Sequence, residues 1–428
     1  MPTLHADPST GDDSRDGLSP GTALRTLAEL TRRLATLGHV TGTTIALRGG
    51  ATFPGTLAFV GGDPDRPVNV ETYEREKGLA TIQSGTAPAL QIYGPGGVTV
   101  RRLRLVGYQA VEVSGLSIEN GHLFDGPARD ITVENMAATG YGAAGIRITP
   151  FSPMTGVRVQ GCRTWRNGVG LVIGDRTPGR YMMRDVHISR CDSSDNDWEH
   201  GPAAQAGYGL ALNGVEGGTV SFSCFNGNGR RSMNPGHAGV EAGHCARLTF
   251  TCDEFSDNHD PNPAHGDGSG LILNECIDCD VADCIAERNA GGFGFFSEGA
   301  PDATTGEQYA TQGVRALRCV ARENVAAFSV INHVSDLWLV DCAGTARASA
   351  GQFRKIIDVQ DHVGDGVRVV RGRFEAEAED GGIAWLIQLT AARSRIAWHG
   401  PTWVSSDPQY MIEGTLYRRF RAWETAPI

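Results

Sequence analysis

The chain has 428 residues, 57 of them glycine, and a formal net charge of −11. An acidic balance argues against a phosphate-backbone partner, so nucleic acid is not an expected ligand. No stretch reaches the roughly 18 consecutive apolar residues of a membrane-spanning helix. The length suits two or three ordinary domains, or one solenoid that grows by stacking.

The opening Met1-Pro2-Thr3-Leu4-His5 has neither a basic segment nor an apolar run. A signal peptide is therefore expected to be absent or removed, with an extracellular or virion-associated location favoured. Residues 4–24 are rich in turn formers. Within them Asp12-x-Ser14-x-Asp16-Gly17 matches the first half of a calcium loop but lacks the distal glutamate, so calcium is one reading and a plain turn the other. No other cofactor is called for. Thr26-Leu27-Ala28-Glu29 fits a helix capping box, and Leu27, Leu30, Leu34 and Leu37 recur at helical spacing. One amphipathic helix ahead of many strands predicts a cap over a solenoid end, which otherwise exposes its core and strand edges.

From residue 43 short alternating strands follow: Thr44–Leu47, Leu57–Phe59, Val68–Val70, Val98–Val100 and Val111–Val113, separated by Gly, Pro and Asp. Between about 145 and 330 one pattern repeats. A strand opens on glycine (Gly145, Gly170, Gly209, Gly239, Gly270, Gly294), a second strand follows, and a cysteine and an asparagine close the unit. Cys162 with Asn167, Cys191 with Asn196, Cys284 with Asn289 and Cys319 with Asn324 share a five-residue spacing. Buried scaffold thiols are expected at Cys162, Cys191, Cys224, Cys252, Cys284, Cys319 and Cys342.

The run Asp7-Pro8-Ser9-Thr10-Gly11-Asp12-Asp13-Ser14-Arg15-Asp16-Gly17-Leu18-Ser19-Pro20, the helix, and Leu47-Arg48-Gly49-Gly50-Ala51-Thr52-Phe53 together resemble the opening of bacterial proteins of the pectate-lyase-like superfamily. The resemblance covers nearly the whole chain. It implies an all-β fold, a right-handed parallel β-helix (solenoid) with an N-terminal capping helix. Residues 1–42 would form the turn region and cap, 43–415 the β-helix and 416–428 a tail. It also implies a polysaccharide or oligosaccharide partner and a monomer or homotrimer. The superfamily spans glycoside hydrolases, lyases, epimerases and tailspikes, so the reaction stays open.

Successive strand-opening glycines lie 25 (145 to 170), 39 (170 to 209), 30 (209 to 239), 31 (239 to 270) and 24 (270 to 294) residues apart. If a bare coil takes roughly 22 to 25 residues, the excess leaves as loops. These are Asp197–Tyr208, Gly229–Ala238 and His259–Ser269, with Gly299–Thr311 after Glu298. Stacked at one edge, the first three make the wall of a cleft. They hold Trp198, Tyr208, Arg230, His237, His265 and Asp267. Along each glycine strand the residues at +1 and +3 are apolar, which turns +2 outward: Arg147, Val172, Ala211, Glu241, Ile272 and Phe296, with Glu298 at +4. Glu241 is a carboxylate in a largely apolar row.

Glycosidic cleavage needs a proton donor and a second carboxylate as base or nucleophile. Rungs about 4.8 Å apart would hold such a pair near the retaining separation, and two rungs near the inverting one. Glu241 and Asp267 are the expected acid and base, with His237, His265 and Glu298 assisting, and a hydrolase is favoured. Arg147, Trp198, Tyr208, Arg230 and Phe296 are the expected sugar contacts. A lyase using Arg, His or Tyr as base, a C5-epimerase and a non-catalytic tailspike-like binder are the alternatives. Cys245 and Cys276, each six residues past its rung's glycine, should stack. Free thiols, a disulfide, or a zinc site made with His244 and Cys279 are the three outcomes.

Overall fold

The computed structural model describes residues 2–110, 112–121, 126–175, 181–197, 207–230, 237–259, 268–297, 310–360, 366–379, 381–390, 396–405, 407–412 and 415–418. They divide into two compact units. One comprises Met1–Asp175, Tyr181–Ala211 and Val215–Gly218; the other comprises Leu212–Gly214 and Thr219–Ile428.

Each unit is a parallel β-helix built from three strand ladders. In the first unit, Thr44–Arg48, Val68–Tyr73, Gly96–Arg101, Ala128–Glu134 and Met154–Gln160 stack as one ladder. Thr52–Pro54, Ala80–Gly85, Leu103–Ala110, Ala137–Tyr141 and Arg163–Trp165 form the second. Leu57–Val60, Leu90–Tyr93, Leu116–Glu119, Ala144–Thr149 and Val169–Gly174 form the third. The second unit repeats the plan. Its third ladder runs Ala238–Gly243, Ser269–Asn274, Gly291–Phe296, Ala326–Ile331, Phe353–Gln360, Ile383–Leu389 and Tyr410–Ile412.

The cap is a helix over Leu27–Thr36. Leu27, Leu30 and Leu34 are buried, whereas Leu37 sits at the C-cap and is exposed. Only half of the expected capping box forms. Thr26 Oγ1 accepts the Glu29 N–H at 3.1 Å, but the Glu29 carboxylate turns forward to Arg32 and Arg33, and the Thr26 N–H goes to Asp13 instead. The aspartates of the calcium-like run serve their own turn: Asp12 accepts from Ser14, and Asp16 from the Leu18 N–H. The predicted strand at 111–113 is not one, since Glu112 is left-handed at φ 64°; residue 111 lies outside the described residues.

Inside the second unit two side-chain ladders run along the coil. Asn228, Asn258, Asn289 and Asn324 are fully or almost fully buried, and each of the first three donates from Nδ2 to the Oδ1 of the next at 3.0–3.1 Å. Each Oδ1 also takes the backbone N–H of the rung before, at 2.9 Å. Buried backbone groups at a corner need such partners, and the short amide of asparagine offers donor and acceptor at once. Alongside, Asp253, Cys284 and Cys319 occupy equivalent rungs, because Glu254 pairs with Ile285 and Ile285 with Val320. The expectation for Cys224 and Cys252 is corrected here. They lie one residue out of register, Cys224 half-buried and Cys252 exposed at a left-handed corner, while Ser223 and Asp253 hold the ladder positions. A stack of aromatic rings, Phe225, Phe255, Phe293, Phe328 and Phe374, with successive centroids 5.6–6.3 Å apart, fills the coil beside them.

Candidate functional site on the outward face of the third ladder

Alternation along the third ladder holds, but Phe296 does not share the row of Glu241 as expected, because Ile272 pairs with Gly294 and Phe296 with Asn274. In the second unit Val240, Ala242, Leu271, Leu273, Phe293 and Phe295 are buried core, and Glu241 and Ile272 between them are partly exposed. Register places Glu241, Ile272, Gly294, Ser329, Asp358 and Gln388 in one outward column. The adjacent column is Gly243, Asn274, Phe296, Ile331 and Gln360.

Phe296 adds a feature that alternation alone does not show. Its ring lies across Gly294, where a Cβ would meet Phe296 Cε2 at 2.7 Å. The missing side chain leaves room for the ring over this position. Phe296 is partly exposed and sits two rungs, about 9.6 Å, from Glu241. It offers an apolar plane of the kind that packs a pyranose face.

Further along this column Asp358 is 3% exposed. Its Oδ2 accepts from Lys355 Nζ and from Gln360 Nε2, both at 2.7 Å. Phe353 and Trp385 meet edge to face beside it, centroids 4.3 Å apart, with Lys355 Nζ 5.6 Å from the Phe353 ring. Sequence reasoning missed this cluster. Its signal was an acid between core residues, Ile357-Asp358-Val359, the same pattern as Val240-Glu241-Ala242.

The other expected site residues fare unequally. Asp267, His265, Glu298 and Trp198 lie outside the described residues. His237 is fully buried at the head of its strand, and its carbonyl accepts the N–H groups of Gly268 and Ser269 at 3.0 and 3.2 Å. It is part of the scaffold rather than of an open loop. Tyr208 is likewise buried, at the start of a strand, and does not present its ring as a sugar contact. Arg230 donates from Nε to the Asp257 carbonyl at 3.2 Å, beside the Asp257–Arg288 ion pair. Close by, burial, together with the cations Arg230, Arg288 and Arg354, lowers the pKa of His259.

In the first unit Arg147 points outward from the third ladder, registered between Ser117 and Val172. Its Nε is buried and makes no hydrogen bond among the described residues. Burial pushes its pKa down, against the pull of the Glu119 and Asp175 carboxylates. An open groove of about 550 Å³ in the same unit includes Arg48 and Lys77 in its lining, but both cations are engaged, Arg48 with Asp7 and Glu74 and Lys77 with Glu74.

Cys245 and Cys276 stack as expected and, with Cys279, are buried free thiols. His244 directs Nδ1 to Glu275 Oε2 at 2.9 Å rather than to the thiols. Among the described residues no group of three His, Cys, Asp or Glu has metal-holding geometry, at the thiols or at the N-terminal turn.

Structural comparison agrees with this geometry. A lacto-N-biosidase of family GH136 from Eubacterium ramulus superposes with a TM-score of 0.63 at 16% identity, over 89% of this chain and 68% of that one. The A-module of the mannuronan C-5 epimerase AlgE4 from Azotobacter vinelandii gives 0.59 at 14% identity, over 94% of this chain and all of that one. The chain has the parallel β-helix fold. No family model matches the sequence, and no curated protein does. At these identities the β-helix neighbours speak for fold alone.

Proposed function

We propose that this β-helix protein is a carbohydrate-active enzyme that hydrolyses glycosidic bonds along the outward face of its third ladder, with Glu241 as one of the two working carboxylates. The observation that carries the reading is the Phe296 ring laid over Gly294 on the face that bears Glu241. An apolar plane for a sugar and an acid for its linkage thus share one sheet surface. The second carboxylate of the reading is Asp267, which lies outside the described residues. One carboxyl protonates the leaving oxygen while the other activates water or attacks the anomeric carbon. The β-helix fold shared with a lacto-N-biosidase is compatible with such chemistry.

E241Q and D267N, prepared separately, are assayed for new reducing ends on a panel of neutral and acidic polysaccharides. Each variant is expected to lose at least a hundredfold in kcat while retaining binding. Wild-type turnover in both would end the assignment. A second reading, β-elimination on a uronate, draws on Arg147, whose outward-facing guanidinium, with Nε buried and unbonded among the described residues, suits a carboxylate clamp. Ultraviolet absorbance from an unsaturated product, lost in R147A and kept in E241Q, would select it. Change in uronate configuration without new chain ends would select an epimerase, and binding without any product a tailspike-like role.

A further inference from the structure

Asp358 poses a problem that the scaffold does not solve. The residue is 3% exposed although it lies on the outward side of the sheet, between the core residues Ile357 and Val359. Oδ2 is satisfied by Lys355 and Gln360, but Oδ1 is buried and accepts no hydrogen bond among the described residues. On the next rung, directly in register, Gln388 also buries an Oε1 that accepts none. Two acceptors on neighbouring rungs, about 4.8 Å apart at the backbone, are left facing the same side. A buried acceptor without a donor costs roughly 1–3 kcal/mol, so a pair of them marks a place where donors arrive from outside.

The chemistry of that visitor can be read from what surrounds the two oxygens. It must bring two donors at short spacing. Lys355 and Asp358 neutralise each other, so the cluster has no net charge with which to select an anion. The edge-to-face rings of Phe353 and Trp385, both partly exposed, add an apolar corner next to the polar atoms. Adjacent hydroxyl donors on an uncharged body with an apolar face describe a neutral sugar. We propose that Asp358, Gln388, Lys355 and Gln360, with the Phe353–Trp385 corner, form a subsite that grips one neutral sugar unit through a vicinal diol. The proposal rests on the carbohydrate-active reading and deepens it. Glu241 and Asp358 are four rungs apart in one column, about 19 Å, so the subsite lies remote from the linkage that is cut. It holds a distant part of the glycan and makes turnover depend on chain length.

The test uses the full chain and a glycan array of neutral, amino-sugar and uronate structures, followed by calorimetry on the best neutral oligosaccharide series. Wild type, D358N, Q388A and W385A are compared, each with its unfolding midpoint measured. Affinity for long neutral oligosaccharides is expected to fall at least tenfold in D358N and Q388A, with KM raised for long substrates and unchanged for short ones. Should D358N fail to fold, Q388A and W385A carry the same expectation. If the wild type binds neutral glycans and all three variants match it, the subsite is wrong while the enzyme reading stands. If Q388A only lowers the unfolding midpoint, the amide of Gln388 was turned toward Asp358 as a donor, and the subsite is again wrong. A wild type that binds no glycan on the array overturns both.

Discussion

Replacing Asp253 by asparagine is expected to remove a pH dependence of stability that the ladder position creates. Asp253 is 2% exposed, and its Oδ1 accepts the Ser223 N–H at 2.9 Å while its Oδ2 is buried and accepts none among the described residues. Burial, only partly offset by the Ser223 N–H and the nearby Thr251 backbone, pushes its pKa from 3.8 to about 7. Because the folded value lies above the unfolded one, the folded state binds the proton more tightly. Stability is therefore full below pH 4, declines as pH rises from about 4 to 7, and is flat above. A shift of about three units is worth roughly 4 kcal/mol across that window. Denaturant unfolding of wild type and D253N at several pH values between 4 and 8.5 reads this out as a difference between the two curves. Asparagine keeps the acceptor for Ser223 but buries an amide donor, a cost of roughly 1–3 kcal/mol that does not vary with pH. D253N should gain on wild type by about 4 kcal/mol between pH 4 and 8. A difference that stays constant over the range would show that Asp253 is not held protonated by its site, and the reasoning would fail.

Other perturbations follow from the same geometry. N289A removes a side chain that bonds the Phe255 carbonyl, Asn324, and both the backbone and side chain of Asn258, and should cost roughly 3 kcal/mol or more in unfolding measurements. G294V cannot coexist with the Phe296 ring in its place, so it should weaken glycan affinity about tenfold in calorimetry without altering the Glu241 carboxylate itself. R318A breaks the paired hydrogen bonds to Asp283 at 2.7 Å, yet that pair is exposed, and the midpoint should move by no more than about 1 kcal/mol and less in high salt.

The fold was legible in the sequence because one physical demand recurs on six successive coils between residues 162 and 324. Each corner needs its buried backbone groups answered, and an asparagine five residues after a small buried residue is the sign of it. Asn228 and Asn258 escaped notice only because Ser223 and Asp253 stand where cysteine stands elsewhere; the spacing of five is intact at 223 to 228 and 253 to 258. Cys224 and Cys252 then drew the eye one residue aside. Glu241 was visible for the opposite reason, as a polar residue in an apolar alternation, and it does face outward. Residues expected from loop composition transferred poorly. Tyr208 and His237 belong to strand starts and are buried, because a loop's last residues are already committed to the ladder that follows.

The contrast between Glu241 and Asp358 shows why alternation is a weaker guide to function than burial. Both are acids between core residues on the same outward column, and sequence cannot rank them. An outward acid that keeps contact with solvent can have its oxygens hydrated there. An outward acid that is buried has lost water on one oxygen without replacement, and some other group must supply the missing donor. Whether the carboxylate is buried depends on Lys355 and Gln360 reaching its other oxygen from positions three before and two after, with Gln388 in register one rung away. That covering is a property of three side-chain conformations on two strands, which no one-dimensional spacing encodes. In a solenoid the strands come from repetition, whereas the places where a ligand is wanted come from acceptors that repetition leaves unanswered.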